Sequence, residues 1–220
     1  DPEGRFSSVY GSTVSEMLGA RPNPSGGKER VTVVFAIGGA GAQVDIAFVL
    51  AQALKPGILD GRFRLVLVAG VNRVVEMALQ EFVVRAGLAS ALGDGLLIVR
   101  EETKRAYFDR FNALMRETDI LWTKPSELSF YAGLGIPIIM APSVGSQEEF
   151  NRSWLHSIGV GFEQEDPRYT NEWLFDWLKS GRLAEAAMEG FMDAPRNGAY
   201  HVEDVVIRGK RSEIEDIHLL

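Results

Sequence analysis

The segment Val31-Thr-Val-Val-Phe-Ala-Ile37 is almost wholly apolar and β-branched, and it runs directly into Gly38-Gly-Ala-Gly-Ala-Gln43 and a helical pattern. Such a run suits a strand buried on both faces, because only a sheet covered on both sides can hide consecutive apolar side chains. The type recurs in Leu65-Val-Leu-Val-Ala69, Leu96-Leu-Ile-Val99, Ile120-Leu-Trp122 and Ile136-Pro-Ile-Ile-Met140, with a shorter run at Val160-Gly-Phe162. Helical spacing separates the runs. Ile46, Val49, Leu50 and Ala53 mark one face of the first helix. Val75, Ala78, Leu79, Phe82, Val83 and Ala86 mark the second, which Gly87 is placed to end. Tyr107, Phe108, Phe111, Leu114 and Met115 mark the third. Residues 147–158 read as a helix stopped by Gly159, and the stretch to about residue 206 reads as helical. Strands alternating with helices at this spacing predict a doubly wound, mostly parallel α/β sheet of Rossmann type with about six strands.

The remaining composition narrows the chemistry. The 220 residues carry 23 Lys+Arg against 30 Asp+Glu, a net charge of −7, which works against nucleic-acid binding. There is no cysteine, so disulfides, thiolate metal sites and cysteine nucleophiles are excluded; the three histidines, His156, His201 and His218, offer little for a zinc site. No metal site and no cofactor are expected. No apolar run approaches the length of a membrane span, no signal-peptide pattern opens the chain, and the expected compartment is the cytoplasm. Residues 1–29 are polar and turn-rich and read as a linker or the tail of a preceding element; 30–206 form the domain and 207–220 a tail. A chain opening Asp1-Pro2-Glu3-Gly4 is either a trimmed piece or the C-terminal half of a longer protein.

Open parallel sheets bind ligands beyond the carboxyl ends of their strands, so the loops after the strands are the candidates. The small residues Gly38, Gly39, Ala40 and Gly41 let a phosphate approach backbone N–H groups at a helix N-terminus. Their order fits neither G-x-G-x-x-G nor a P-loop. After the fourth run, Thr123-Lys-Pro-Ser-Glu127 offers Lys124 to a phosphate, while Ser126 and Glu127 suit either a helix start or a sugar diol. After the fifth, Ser146 and Glu149 have capping-box spacing, which leaves Gln147, Glu148 and Asn151 for sugar hydroxyls.

The Gly-Gly-x-Gly loop, the Gly135-Ile-Pro-Ile-Ile139 strand entry and the Gly145-x-Gln-Glu-x-x-Asn151 loop together resemble the C-terminal, donor-binding domain of GT-B glycosyltransferases. The similarity spans roughly residues 10–162. It is nearest to the lipid II-forming N-acetylglucosaminyltransferase and the plant-type monogalactosyldiacylglycerol synthases. The resemblance implies a nucleotide-diphosphate sugar donor, here a UDP-sugar, and metal-independent transfer of a hexosyl group. It places Gly38, Gly39, Ala40 and Gly41 at the diphosphate and Gln147, Glu148 and Asn151 at the donor sugar. An N-terminal acceptor domain would supply the base, for which this chain offers no candidate. Two positions depart from the pattern. Phe130 stands where the family has its ribose-binding glutamate, with Glu127 one helical turn upstream; Ser15 stands where it has an arginine, leaving Lys124 or Arg73 to meet the phosphate. The alternatives are a non-catalytic binding or interaction domain and a nucleotide-sugar epimerase, both of the same fold.

Other polar and aromatic features read as structural. Trp173 and Trp177 recur with Leu174 and Leu178 at helical spacing and suit packing. His156 and His201 lack triad partners, and the Glu101-Glu102 and Glu163-Gln-Glu-Asp166 clusters suit solvated loops.

Overall fold

In the computed structural model, the structure describes residues 30–37, 41, 43–125, 128–143, 145–194, 202–203 and 205–209. The expected linker at 1–29, with Ser15, lies outside the described residues, as does His201. The six apolar runs form six parallel strands: β1 (Val31–Ala36), β2 (Phe63–Gly70), β3 (Leu96–Arg100), β4 (Ile120–Thr123), β5 (Ile138–Met140) and β6 (Gly161–Glu163). Their spatial order is β3-β2-β1-β4-β5-β6, the doubly wound arrangement with its reversal between β1 and β4. Every described pairing is parallel. The fold class is therefore the one that the alternation predicts.

One face of the sheet is covered by α1 (Val44–Leu59) and α2 (Arg73–Arg85), with α6 (Thr170–Lys179) packed on α1. The other carries α3 (Lys104–Met115), α4 (Ser129–Gly133) and α5 (Ser146–Ser157), and α7 (Arg182–Asp193) lies against α4. Alternate residues of β1 divide between the layers: Val33 and Phe35 face α1, Val34 faces α3.

The buried face of α1 differs from the expected one. It consists of Ala47, Leu50, Ala51, Leu54 and Ile58, while Ile46, Val49 and Ala53 are only partly buried. Helix α1 is apolar nearly all round, so its sequence does not single out one stripe. It is wedged between the sheet, α2, α6 and the 3-10 turn Pro167–Tyr169, which explains the broad hydrophobicity. In α3, Phe111, Leu114 and Met115 are buried as expected, but Phe108 is exposed.

The predicted glycine stops are present. Gly87 and Gly159 take positive φ values of 68° and 71°. Behind them Leu88 N–H donates to Val83 and Val160 N–H to Leu155, the six-to-one bonds of a Schellman ending. The capping box is not. Helix α5 begins at Ser146 with Gly145 as N-cap and makes no side-chain cap bond; the Glu149 carboxylate instead lies 3.4 Å from Arg152 Nη1. Gly145 is extended there, which lifts Ser146 into the first helical position, too far along to serve as cap.

Trp173 and Trp177 pack as expected, with ring centroids 4.7 Å apart, and Trp173 meets the fully buried Trp122 at 5.4 Å. Of the acidic cluster, Glu163 ends β6 and residues 164–166 form a loop with Glu165 exposed, as expected, though its neighbours are tied down. Glu163 pairs with Arg152 and His156, Gln164 Oε1 accepts from Trp122 Nε1 at 3.0 Å, and Asp166 binds Arg168 while its carbonyl accepts from Trp173 Nε1.

Candidate functional site

Strands β1 and β4 are paired neighbours at which the strand order reverses, the position where open parallel sheets bind ligands beyond their carboxyl ends. Ala36 stands opposite Thr123 in the register, which puts the end of β1 beside the strand that leads to Lys124. On the far side of β4, Thr123 pairs with Met140, and Ala141 N–H donates to the Thr123 carbonyl at 2.9 Å. The three candidate loops therefore leave adjacent strands and share one crest.

Three side chains tie them together. Lys124 Nζ lies 2.6 Å from Glu148 Oε1. Asn151 Nδ2 donates to the Pro125 carbonyl at 3.1 Å. Gln43 Nε2 donates to the Pro142 carbonyl at 3.2 Å, spanning from the start of α1 to the loop after β5. The first two join the loop after β4 to the first turns of α5. Glu148 is only 8% exposed, and a buried carboxylate requires a counter-charge. The Lys124 ammonium and the positive end of the α5 dipole supply it.

The sequence candidates distribute as follows. Lys124, Glu148 and Asn151 stand together at the crest. Gln147 is exposed on the first turn of α5. Gly41 precedes α1 with φ +72°, and a Cβ there would come within 2.9 Å of Val75 Cγ2 on α2. Gly38, Gly39, Ala40, Ser126 and Glu127 lie outside the described residues. Helix α4 begins at Ser129, with Leu128 rather than Ser126 in the N-cap position. Phe130 is 61% exposed, its ring edge-on to Tyr131. Arg73 opens α2 at the carboxyl end of β2, behind the Asn72 cap that accepts from Val74 and Val75 N–H. His156 is exposed and bonded to Glu163. Among the described residues, no group of three or more His, Asp and Glu stands together in a way that could hold a metal ion.

Two crest residues were not among the sequence candidates. Gln43 is a polar side chain with 4% exposure, and among the described residues its Oε1 has no hydrogen-bond partner; neither has the buried Oγ of Ser143, next to the carbonyl that Gln43 grips. The available signal was an amide at the position before a helix where Ser, Thr, Asp or Asn is usual.

A family model described as "Domain of unknown function (DUF6938)" matches residues 81–208, more than half of the chain. The chain belongs to the DUF6938 family. No curated protein matches the DUF6938 chain in sequence. Solved structures match it in fold. MurG of Acinetobacter baumannii superposes with a TM-score of 0.61 at 18% identity, covering 84% of this chain and 51% of MurG. The C-terminal CMP-Kdo binding domain of WaaA from the same organism gives 0.55 at 10% identity, covering 74% of this chain and 88% of that domain. A Listeria monocytogenes protein assigned as a UDP-N-acetylglucosamine 2-epimerase gives 0.52 at 11% identity, covering 90% of this chain and 48% of the other. The DUF6938 chain thus has the fold of a GT-B C-terminal domain and spans about half the length of MurG and of the Listeria protein. No helix among the described residues is long and apolar enough to cross a membrane.

Proposed function

We propose that this chain binds a nucleotide sugar at the crest between β1 and β4, as the donor-binding half of a GT-B glycosyltransferase. The observation that carries this reading is the β1–β4 register, which sets the end of β1, after which the small-residue run follows in sequence, beside the strand that leads to Lys124 at the reversal of strand order. The WaaA domain of like fold binds CMP-Kdo by its own description, and the Listeria protein is described by a UDP-sugar reaction. The preferred donor is a UDP-sugar, with Gly38, Gly39, Ala40, Gly41 and Lys124 at the diphosphate, Ser126 and Glu127 at the ribose, and Gln147, Glu148 and Asn151 at the sugar. Backbone N–H groups and the α1 dipole would stabilise charge as it develops on the departing diphosphate. Transfer of a hexosyl group without a metal, in the cytoplasm, would then need a base from an N-terminal acceptor domain.

Titration calorimetry with UDP, CMP and their sugars tests this reading. The chain is expected to bind one nucleotide class, Gly39→Val to abolish that binding, and Lys124→Ala to weaken it about tenfold, the order expected for one charge-assisted contact. Indifference to every nucleotide overturns it in favour of an interaction domain, a role for which the exposed Phe130 is suited. The fold of the Listeria protein supports a second reading, a nucleotide-sugar epimerase. Proton NMR of UDP-N-acetylglucosamine incubated with the chain separates the two: inversion at one sugar carbon without an acceptor identifies the epimerase.

A further inference from the structure

Buried polar atoms in folded proteins nearly always find a partner, and one left without a partner usually marks a place where something else binds. At the crest two such atoms belong to residues that the Gln43–Pro142 bond brings near one another. Gln43 Nε2 donates to the Pro142 carbonyl, and among the described residues its Oε1 is left without a donor. Ser143, the next residue, has a buried Oγ that neither donates nor accepts. The surrounding loop is near the surface: Pro142 and Gly145 are exposed and Ser143 is half-buried. A ligand reaching Ser143 Oγ would therefore displace no hydrogen bond made by that hydroxyl among the described residues.

The chemistry selects the ligand group. An amide oxygen only accepts, so a phosphate oxygen, itself an acceptor, is repelled by it; the group that fits must carry an O–H or N–H. A serine hydroxyl beside it can accept from or donate to a second hydroxyl. Resting on the nucleotide-sugar reading above, we propose that Gln43 and Ser143 form a subsite for the sugar of the donor, taking a ring hydroxyl or an acylamino N–H, and so set sugar preference. The diphosphate remains with the small-residue loop. Discrimination of this kind is strong, because a sugar lacking the donor leaves the buried amide oxygen unsatisfied.

The test compares UDP, UDP-glucose and UDP-N-acetylglucosamine by calorimetry on the unaltered chain, Gln43→Leu and Ser143→Ala, with circular dichroism to confirm folding. The unaltered chain is expected to bind one sugar nucleotide more tightly than UDP. Each variant is expected to lose about tenfold of that sugar increment, as for one hydrogen bond to a buried group, with UDP binding unchanged. Ser143→Ala keeps the Gln43–Pro142 bond and so remains informative even if Gln43→Leu fails to fold. Unchanged sugar increments in Ser143→Ala and in any folded Gln43→Leu, or equal losses for UDP and its sugars, overturn the subsite while leaving nucleotide binding intact. Binding of no nucleotide by the unaltered chain overturns both readings.

Discussion

Glu189 on α7 shows how one carboxyl senses its surroundings. Burial, then the neighbouring Glu185 and Asp193, raise its pKa above the usual glutamate value. The folded chain therefore holds this proton more tightly than the unfolded one. Its contribution to stability is present in full below the unfolded glutamate pKa, near 4.5, and is lost as pH rises through the higher folded value. Glu189→Gln is expected to raise the urea midpoint at neutral pH by a small margin, with the gap closing on acidification; a constant gap across pH would contradict the burial account. Gly41 is the opposite case, a residue fixed by backbone rather than charge. Its φ of +72° and the 2.9 Å approach to Val75 make Gly41→Ala costly, about 1–3 kcal/mol by urea denaturation.

Between elements, α7 comes close to the backbone of α4. A Cβ on Gly190 would stand 2.6 Å from the Ala132 carbonyl oxygen, so α7 rests on α4 only because that position is bare. Gly190→Ala is expected to destabilise by about 1–3 kcal/mol through forced separation of the helices, measured as a lower thermal midpoint. The elements themselves were largely legible in the sequence, for a physical reason: strands buried on both faces read as unbroken apolar runs, and all six were visible as such. The face of α1 was not, because a helix covered on several sides has no polar stripe to orient it. Ser146 and Glu149 have the spacing of a cap, but the extended Gly145 starts the helix one residue too early for them to form it. At the crest, Lys124, Glu148 and Asn151 could be picked out by residue type and position. The Gln43–Pro142 tie could not, since its partners are 99 positions apart and one of them is a carbonyl.

For the whole molecule, the net charge of −7 sets a background against which an anionic ligand must approach. Long-range repulsion is screened over about 10 Å at 0.1 M salt, whereas contacts inside the crest are screened much less. If a nucleotide sugar is the ligand, its association rate in stopped flow is expected to rise with ionic strength, by about two- to tenfold between 10 and 200 mM. A falling rate would point to a local positive field strong enough to outweigh the chain's charge, and to a larger role for Lys124 and Arg73.

The Gln43–Pro142 bond also has a consequence for the order in which the molecule comes into being. Gln43 is synthesised well before Pro142, yet it has no grip on the loop after β5 until a carbonyl 99 residues later has been made and β4 and β5 have docked beside β1. Long-range closures of this kind are late events in folding, because the loop entropy must be met before the contact repays it. A nascent chain ending before residue 142 can complete the β3-β2-β1 half of the sheet but lacks the strut across the crest. The bond between the start of α1 and the loop after β5 is thereby reserved for chains whose second half is already in place.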